Sequence, residues 1–164
     1  MNHALAALAA EVDLANPANE PLRLAFGLAC VSRVQHLLEE PRSLAGLATL
    51  QAFVAGAADS SALRAAAAEL KEVANRHRGS NSIDGSAHAA VSATYALANA
   101  LAGRALEAAS YAAYAAIYAY GGYAVNEPSA FEPEFQWQLV QLRQLVSSST
   151  NPPTPAHAAP ATKG

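Results

Sequence analysis

SAHAAVSATYALANALAGRALEAASYAAYAAIYAY, residues 86–120, decides the fold class. Alanine has the best intrinsic helix propensity, and Gly103 suits a helix end, so the stretch reads as two helices meeting near Gly103 and Arg104. The first starts at Asp84 or Ser86 and the second runs to about Tyr120. No Asp, Glu, Lys or Arg lies between Ser86 and Gly103, and none lies between Ala108 and Val125. Helices uncharged nearly all round belong inside a protein or inside a membrane. The length of 108–125 enters the membrane range, but Ala, Tyr and Ser insert weakly and Gly121-Gly122 ends the run, so a central buried hairpin is expected.

The flanking sequence supplies helices to wrap it. Asn2 can cap a first helix reaching about Ala15, with Leu5, Leu8 and Val12 on one face. Pro21 suits the first turn of a second, running to Glu40, whose stripe is Leu24, Leu28, Val31, Val34 and Leu38, widened by Phe26, Cys30 and Leu37. A third follows Pro41, with Leu44, Leu47, Leu50 and Val54 inward and Gly56 as its stop. Ser60 or Ser61 caps a fourth that ends near His77, with Leu63, Leu70 and Val73 inward and Glu72 placed to pair with Arg76. Phe131 and Phe135 bracket the start of a seventh, carrying Leu139, Leu142 and Val146. The expected fold is all-α, an irregular bundle of about seven helices in one domain, residues 1–147. Residues 148–164, within the run SSSTNPPTPAHAAPATKG that begins at Ser147, lack the apolar groups to offset ordering and are expected to form a disordered tail.

A quarter of the 164 residues are alanine and the formal charge is −3, so the charge makes no case for nucleic acid, which would call for a basic face, and the core should be thin and closely packed. Cys30 is the only cysteine, which excludes an intramolecular disulfide. The first residues contain no Lys or Arg ahead of their apolar run, unlike a secretory signal, so a cytoplasmic location without membrane attachment is expected.

Catalytic patterns are missing. Asp84 and His88, spaced i,i+4, form with His77 the one plausible metal or acid-base cluster, but Asp84 as a helix cap and His88 as a hydrogen-bonded core histidine is the favoured reading. Cys30 sits among Leu28, Ala29 and Val31 and reads as inert core. Neither an enzyme nor a cofactor is expected. Two sets of residues could instead meet a partner. Tyr111, Tyr114 and Tyr118 share one face of the sixth helix; core packing is the default for them and an interface the alternative. Acidic residues recur at helix ends and loops, Glu39, Glu40, Glu69, Glu72, Asp84, Glu127, Glu132 and Glu134; scattered solvated charge is the default for them, and they would steer a basic partner if they gather, with Glu39, Glu40, Glu127 and Glu132 as the candidates.

Residues 28–56, LACVSRVQHLLEEPRSLAGLATLQAFVAG, and 83–116, IDGSAHAAVSATYALANALAGRALEAASYAAYAA, together resemble the immunity protein five-like family of bacterial polymorphic-toxin systems. The resemblance rests on Cys30, Arg33, Pro41, Arg42, Phe53 and Gly56 in the first segment, and on His88, Tyr111 and Tyr114 in the second. A further family histidine is absent, with Tyr95 at about its place. The resemblance implies an antitoxin that binds a cognate toxin and occludes it, without catalysis and without site residues that transfer. The rival readings are a helical scaffold whose tyrosine face packs on itself as a homo-oligomer, and a small His/Asp metal-binding protein.

Overall fold

The computed structural model describes residues 1–77 and 86–151, and among these every regular element is helical. Seven α-helices follow in order: α1 His3–Glu11, α2 Glu20–Val34, α3 Pro41–Val54, α4 Ser60–Arg76, α5 Ser86–Leu101, α6 Ala105–Tyr120 and α7 Glu132–Thr150. Short 3-10 turns lead into and out of α2 and bridge α6 to α7.

The ends show why each helix stops where it does. Asn2 Oδ1 accepts from the Leu5 N–H at 3.0 Å, as expected of its cap position. The first helix is shorter than its sequence pattern suggested, because Asp13 takes φ +52 and the Leu14 N–H turns back to the Ala9 carbonyl. Arg23 Nη1 then donates to the Leu14 and Asn16 carbonyls at 2.8 and 2.7 Å, tying that turn to α2. The second helix also ends early, at Val34; the chain tightens into a 3-10 turn and extends at Leu38, which is buried, ahead of Pro41. Gly56, at φ +78, stops α3 as expected. The α4 cap is Asp59, whose Oδ1 accepts from Ala62 N–H at 2.8 Å, and not Ser60 or Ser61, which are already helical. Helix α7 continues through Ser147–Thr150, past the expected domain boundary, with the four hydroxyls donating back to carbonyls one turn earlier.

The α5–α6 hairpin is packed by α2, α4 and α3, and α2 shares the centre with it. Ala89, Ala93, Ala96, Leu97 and Ala100 of α5 and Ala108, Ala109, Ala112 and Ala115 of α6 are buried. Methyl-sized side chains let the backbones come close, so the core is built on proximity more than on bulk. At Gly27, a side-chain Cβ would lie only 3.0 Å from Ala100 Cβ. Helix α2 contributes Leu24, Phe26, Cys30, Val31 and Val34, all buried, and Leu50 of α3, Leu70 of α4, Leu97 of α5 and Leu142 of α7 are fully buried as well.

Helix α3 departs from its expected stripe. Leu44 and Val54 are 49% and 40% exposed, whereas Ser43, Gly46, Leu47 and Leu50 face inward. Helix α4 approaches on the Gly46 side, with Leu70 against it, and that contact rotates the helix away from its purely hydrophobic face. Leu63, Leu70 and Val73 point inward as expected, and Glu72 pairs with Arg76 at 3.8 Å.

Candidate functional site: the exposed face of α6

One side of α6 presses its alanines onto the core; the other carries the tyrosines. Tyr111 and Tyr114 are 38% and 37% exposed, and Tyr118 is half-buried. This corrects the default expectation that the tyrosine face is core. The interior face went to alanine because a phenol ring would hold the neighbouring helices apart. At the far end Tyr120 and Tyr123 are 80% and 74% exposed.

The rings are held in register. Tyr111 stacks on Tyr95 of α5, with centroids 5.1 Å apart and planes 20° from parallel. Tyr114 meets the edge of Phe131 at 5.1 Å and lies 6.3 Å from Tyr118, and Phe131 in turn packs 5.7 Å from Phe135. His88 packs 5.3 Å from Tyr118 and is exposed, so it is an edge of this aromatic surface and not a core histidine. Such contacts limit the rotamers open to each ring.

Clefts flank the tyrosines. One of about 440 Å³ lies between α1 and α6, lined by Met1, Leu5, Leu106, Tyr111 and Tyr114, with Gln138 as part of its wall. A second, of about 270 Å³, shares Met1, Ser110 and Tyr114 with the first and runs on to Pro128 and Phe131. A third, of about 440 Å³, lies on the other side of Tyr111 between α4, α5 and α6.

Gln138 holds this region together. It is buried; its Nε2 donates to the Ala109 carbonyl at 2.9 Å and its Oε1 accepts from Asn2 Nδ2 at 3.1 Å. Asn2 Nδ2 also reaches the Phe135 carbonyl at 3.1 Å, so one polar chain joins α1, α6 and α7 beneath the tyrosines. A lone Gln in a helix gives no sequence signal for such a role.

The acidic candidates are dispersed in their engagements. Glu40 is half-buried and pairs with Arg42 at 3.1 Å, while Glu132 accepts from Gln136 at 2.7 Å. Glu39 and Glu127 are exposed. Glu134, another of the recurring acidic residues, takes Arg33 in a two-pronged bridge at 2.6 and 2.9 Å, and the same guanidinium lies 4.3 Å from the Trp137 ring centroid. Arg33 therefore fastens α2 to α7.

Cys30 lies in the core beside that bridge. Burial pushes its thiol far above the ordinary range, the Glu134 carboxylate adds to the rise, and Arg33 opposes it. A thiol so held is neither nucleophile nor metal ligand. A thiol-reactive chromogenic reagent should leave native Cys30 unmodified over hours and modify it within minutes in denaturing urea; prompt labelling of the native protein would contradict this burial. Of the His77, Asp84 and His88 cluster, His77 is half-buried and Asp84 lies outside the described residues. No group of three His, Cys, Asp or Glu side chains placed to hold a metal occurs among the described residues. Nor, among them, is any helix long and apolar enough to cross a membrane.

Comparison with curated proteins and with solved structures gives no match. The family model for the Imm-5 like putative immunity protein matches residues 18–145, from the turn before α2 into the last part of α7, and includes every tyrosine of the α6 face. The chain belongs to that family.

Proposed function

We propose that this protein is a non-catalytic antitoxin that binds a cognate toxin in the cytoplasm and occludes a surface the toxin needs, with the α6 tyrosine face as its contact. The observation that carries the reading is the half-exposed Tyr111–Tyr114 pair, immobilised by its neighbours and set between clefts, in a chain of an immunity-protein family. Tyrosine is favoured in such places because its ring gives large contact area while its hydroxyl stays hydrated or bonded.

The test is co-expression with a toxin encoded beside this gene, scored by growth and by the kinetics of the purified pair. Replacing both Tyr111 and Tyr114 by alanine should speed dissociation by about 30-fold or more, the scale of a hot-spot loss of about 2 kcal/mol, and abolish protection. Glu39→Gln and Glu127→Gln, which line none of the clefts beside the tyrosines, should leave dissociation within about twofold of the parent, because exposed charges outside the docked surface contribute little once docked. An unaltered complex after loss of both tyrosines would remove the face from the mechanism. Absence of binding and protection with every neighbouring gene product would remove the antitoxin reading. The scaffold alternative draws on the same exposed rings; a stable dimer in sedimentation that the double tyrosine variant abolishes would favour it.

A further inference from the structure

The third cleft, beside Tyr111, differs from the other two in the cations on its rim. Its floor is alanine of α4 and α5, one wall is the stacked Tyr95–Tyr111 pair, and its polar rim consists of Lys71, Asn75, Asn99, Arg104 and Glu107. Asn99 Nδ2 donates to the Tyr95 main-chain carbonyl at 2.8 Å, one turn back in α5, and the Tyr95 hydroxyl reaches Asn75 Oδ1 of α4 in a long bond of 3.4 Å. Lys71 and Arg104 are exposed, and among the described residues neither has a carboxylate within ion-pair distance. Glu107 is the single opposing charge, shared with the cleft on the other side of Tyr111.

The arrangement is therefore two-sided about one ring: an apolar cleft toward α1, and a cleft with two cations against one anion toward α4. We infer that the α6 face docks a partner segment that combines an aromatic or large aliphatic anchor with neighbouring carboxylates, the anchor seating between Tyr111 and Tyr114 and the carboxylates lying against Lys71 and Arg104. The inference rests on the antitoxin reading for the identity of the partner, and it names the chemistry of the toxin element: acidic and apolar. That is the opposite sign from the partner that the scattered glutamates alone would suggest. It follows because Lys71 and Arg104 border the same cleft as Tyr111, whereas Glu39, Glu40, Glu127 and Glu132 line none of the three clefts beside the tyrosines, and exposed charges farther off than a screening length of about 8 Å are largely screened.

The test uses the isolated protein and two synthetic 12-residue peptides of Trp and Leu interspersed with Asp and Glu, or with Lys at every acidic position. The acidic peptide should bind about tenfold more tightly than the lysine peptide at low salt and shift the NMR signals of Tyr95, Tyr111 and Arg104. Lys71→Glu with Arg104→Glu, both exposed and expected to leave the circular dichroism unchanged, should reverse that preference. Equal affinity for the two peptides, no binding of either, or a preference that survives the double charge reversal would overturn the inference. A toxin complex supplies an independent arm. If protection is lost with the tyrosine variant but intact with the charge-reversed one, the acidic-segment inference fails and the antitoxin reading stands. If no toxin is bound at all, that reading fails, and the peptide result alone decides the chemistry of the face.

Discussion

Phe26→Ala should cost about 3–5 kcal/mol of folding stability, at the upper end of that range, and lower the melting temperature by about 10 °C or more. Phe26 is the largest of the fully buried side chains, on the helix that packs against α5, α6 and α7. Deleting its ring removes the transfer free energy of the lost atoms and leaves a cavity, and the cavity cost depends on how far the surroundings can collapse into it. Here they have little means to do so. The α5 and α6 surfaces are lined with alanine, which has no rotamers to swing, and the helices already approach closely. Urea unfolding followed by circular dichroism measures the effect, and a loss below about 1 kcal/mol would show that the bundle can repack.

Gly27→Leu should be destabilising by about 3 kcal/mol, although any helix scale predicts that leaving glycine improves a helix interior by about 1 kcal/mol. The reason is the place where α2 crosses α5. A Cβ at residue 27 would lie 3.0 Å from Ala100 Cβ and 3.2 Å from Ala100 Cα, so the obstacle includes backbone and cannot rotate away. The two helices must separate, and every alanine contact along the crossing loosens with them. At Gly46 the nearest atoms belong to the Leu70 side chain, at 2.5 and 3.2 Å, which can turn at some expense, so Gly46→Ala should be milder than Gly27→Leu. Combining Gly27→Leu with Ala100→Gly should recover part of the loss, a coupling that a double-mutant cycle in urea reads directly. A Gly27→Leu protein as stable as the parent would mean that the α2–α5 approach is looser than its geometry states.

The aromatic face and the bridge between α2 and α7 were legible to different degrees. Tyr111, Tyr114 and Tyr118 share a face by helical period alone, so their grouping was visible at once. Their exposure was not, because no charged residue marks an outer side of α6 between Ala108 and Tyr120. Arg33 and Glu134 are 101 residues apart, and neither has a local neighbour that signals the other. Gln138 likewise looks like any surface glutamine until α1 and α6 close over it.

By itself the sequence determined the class and the segmentation: alanine content and 3.6-residue stripes made the chain helical, and Asn2, Pro41, Gly56 and Gly103 mark helix ends through local backbone chemistry that needs no tertiary partner. Only the tertiary structure decided which way the uncharged helices face. Hydrophobic burial is non-directional and distinguishes apolar from polar, but it does not rank an alanine side against a tyrosine side. Steric volume makes that choice: α5 and α2 come close enough to α6 only over methyl groups, and the tyrosines are left at the surface, between the clefts.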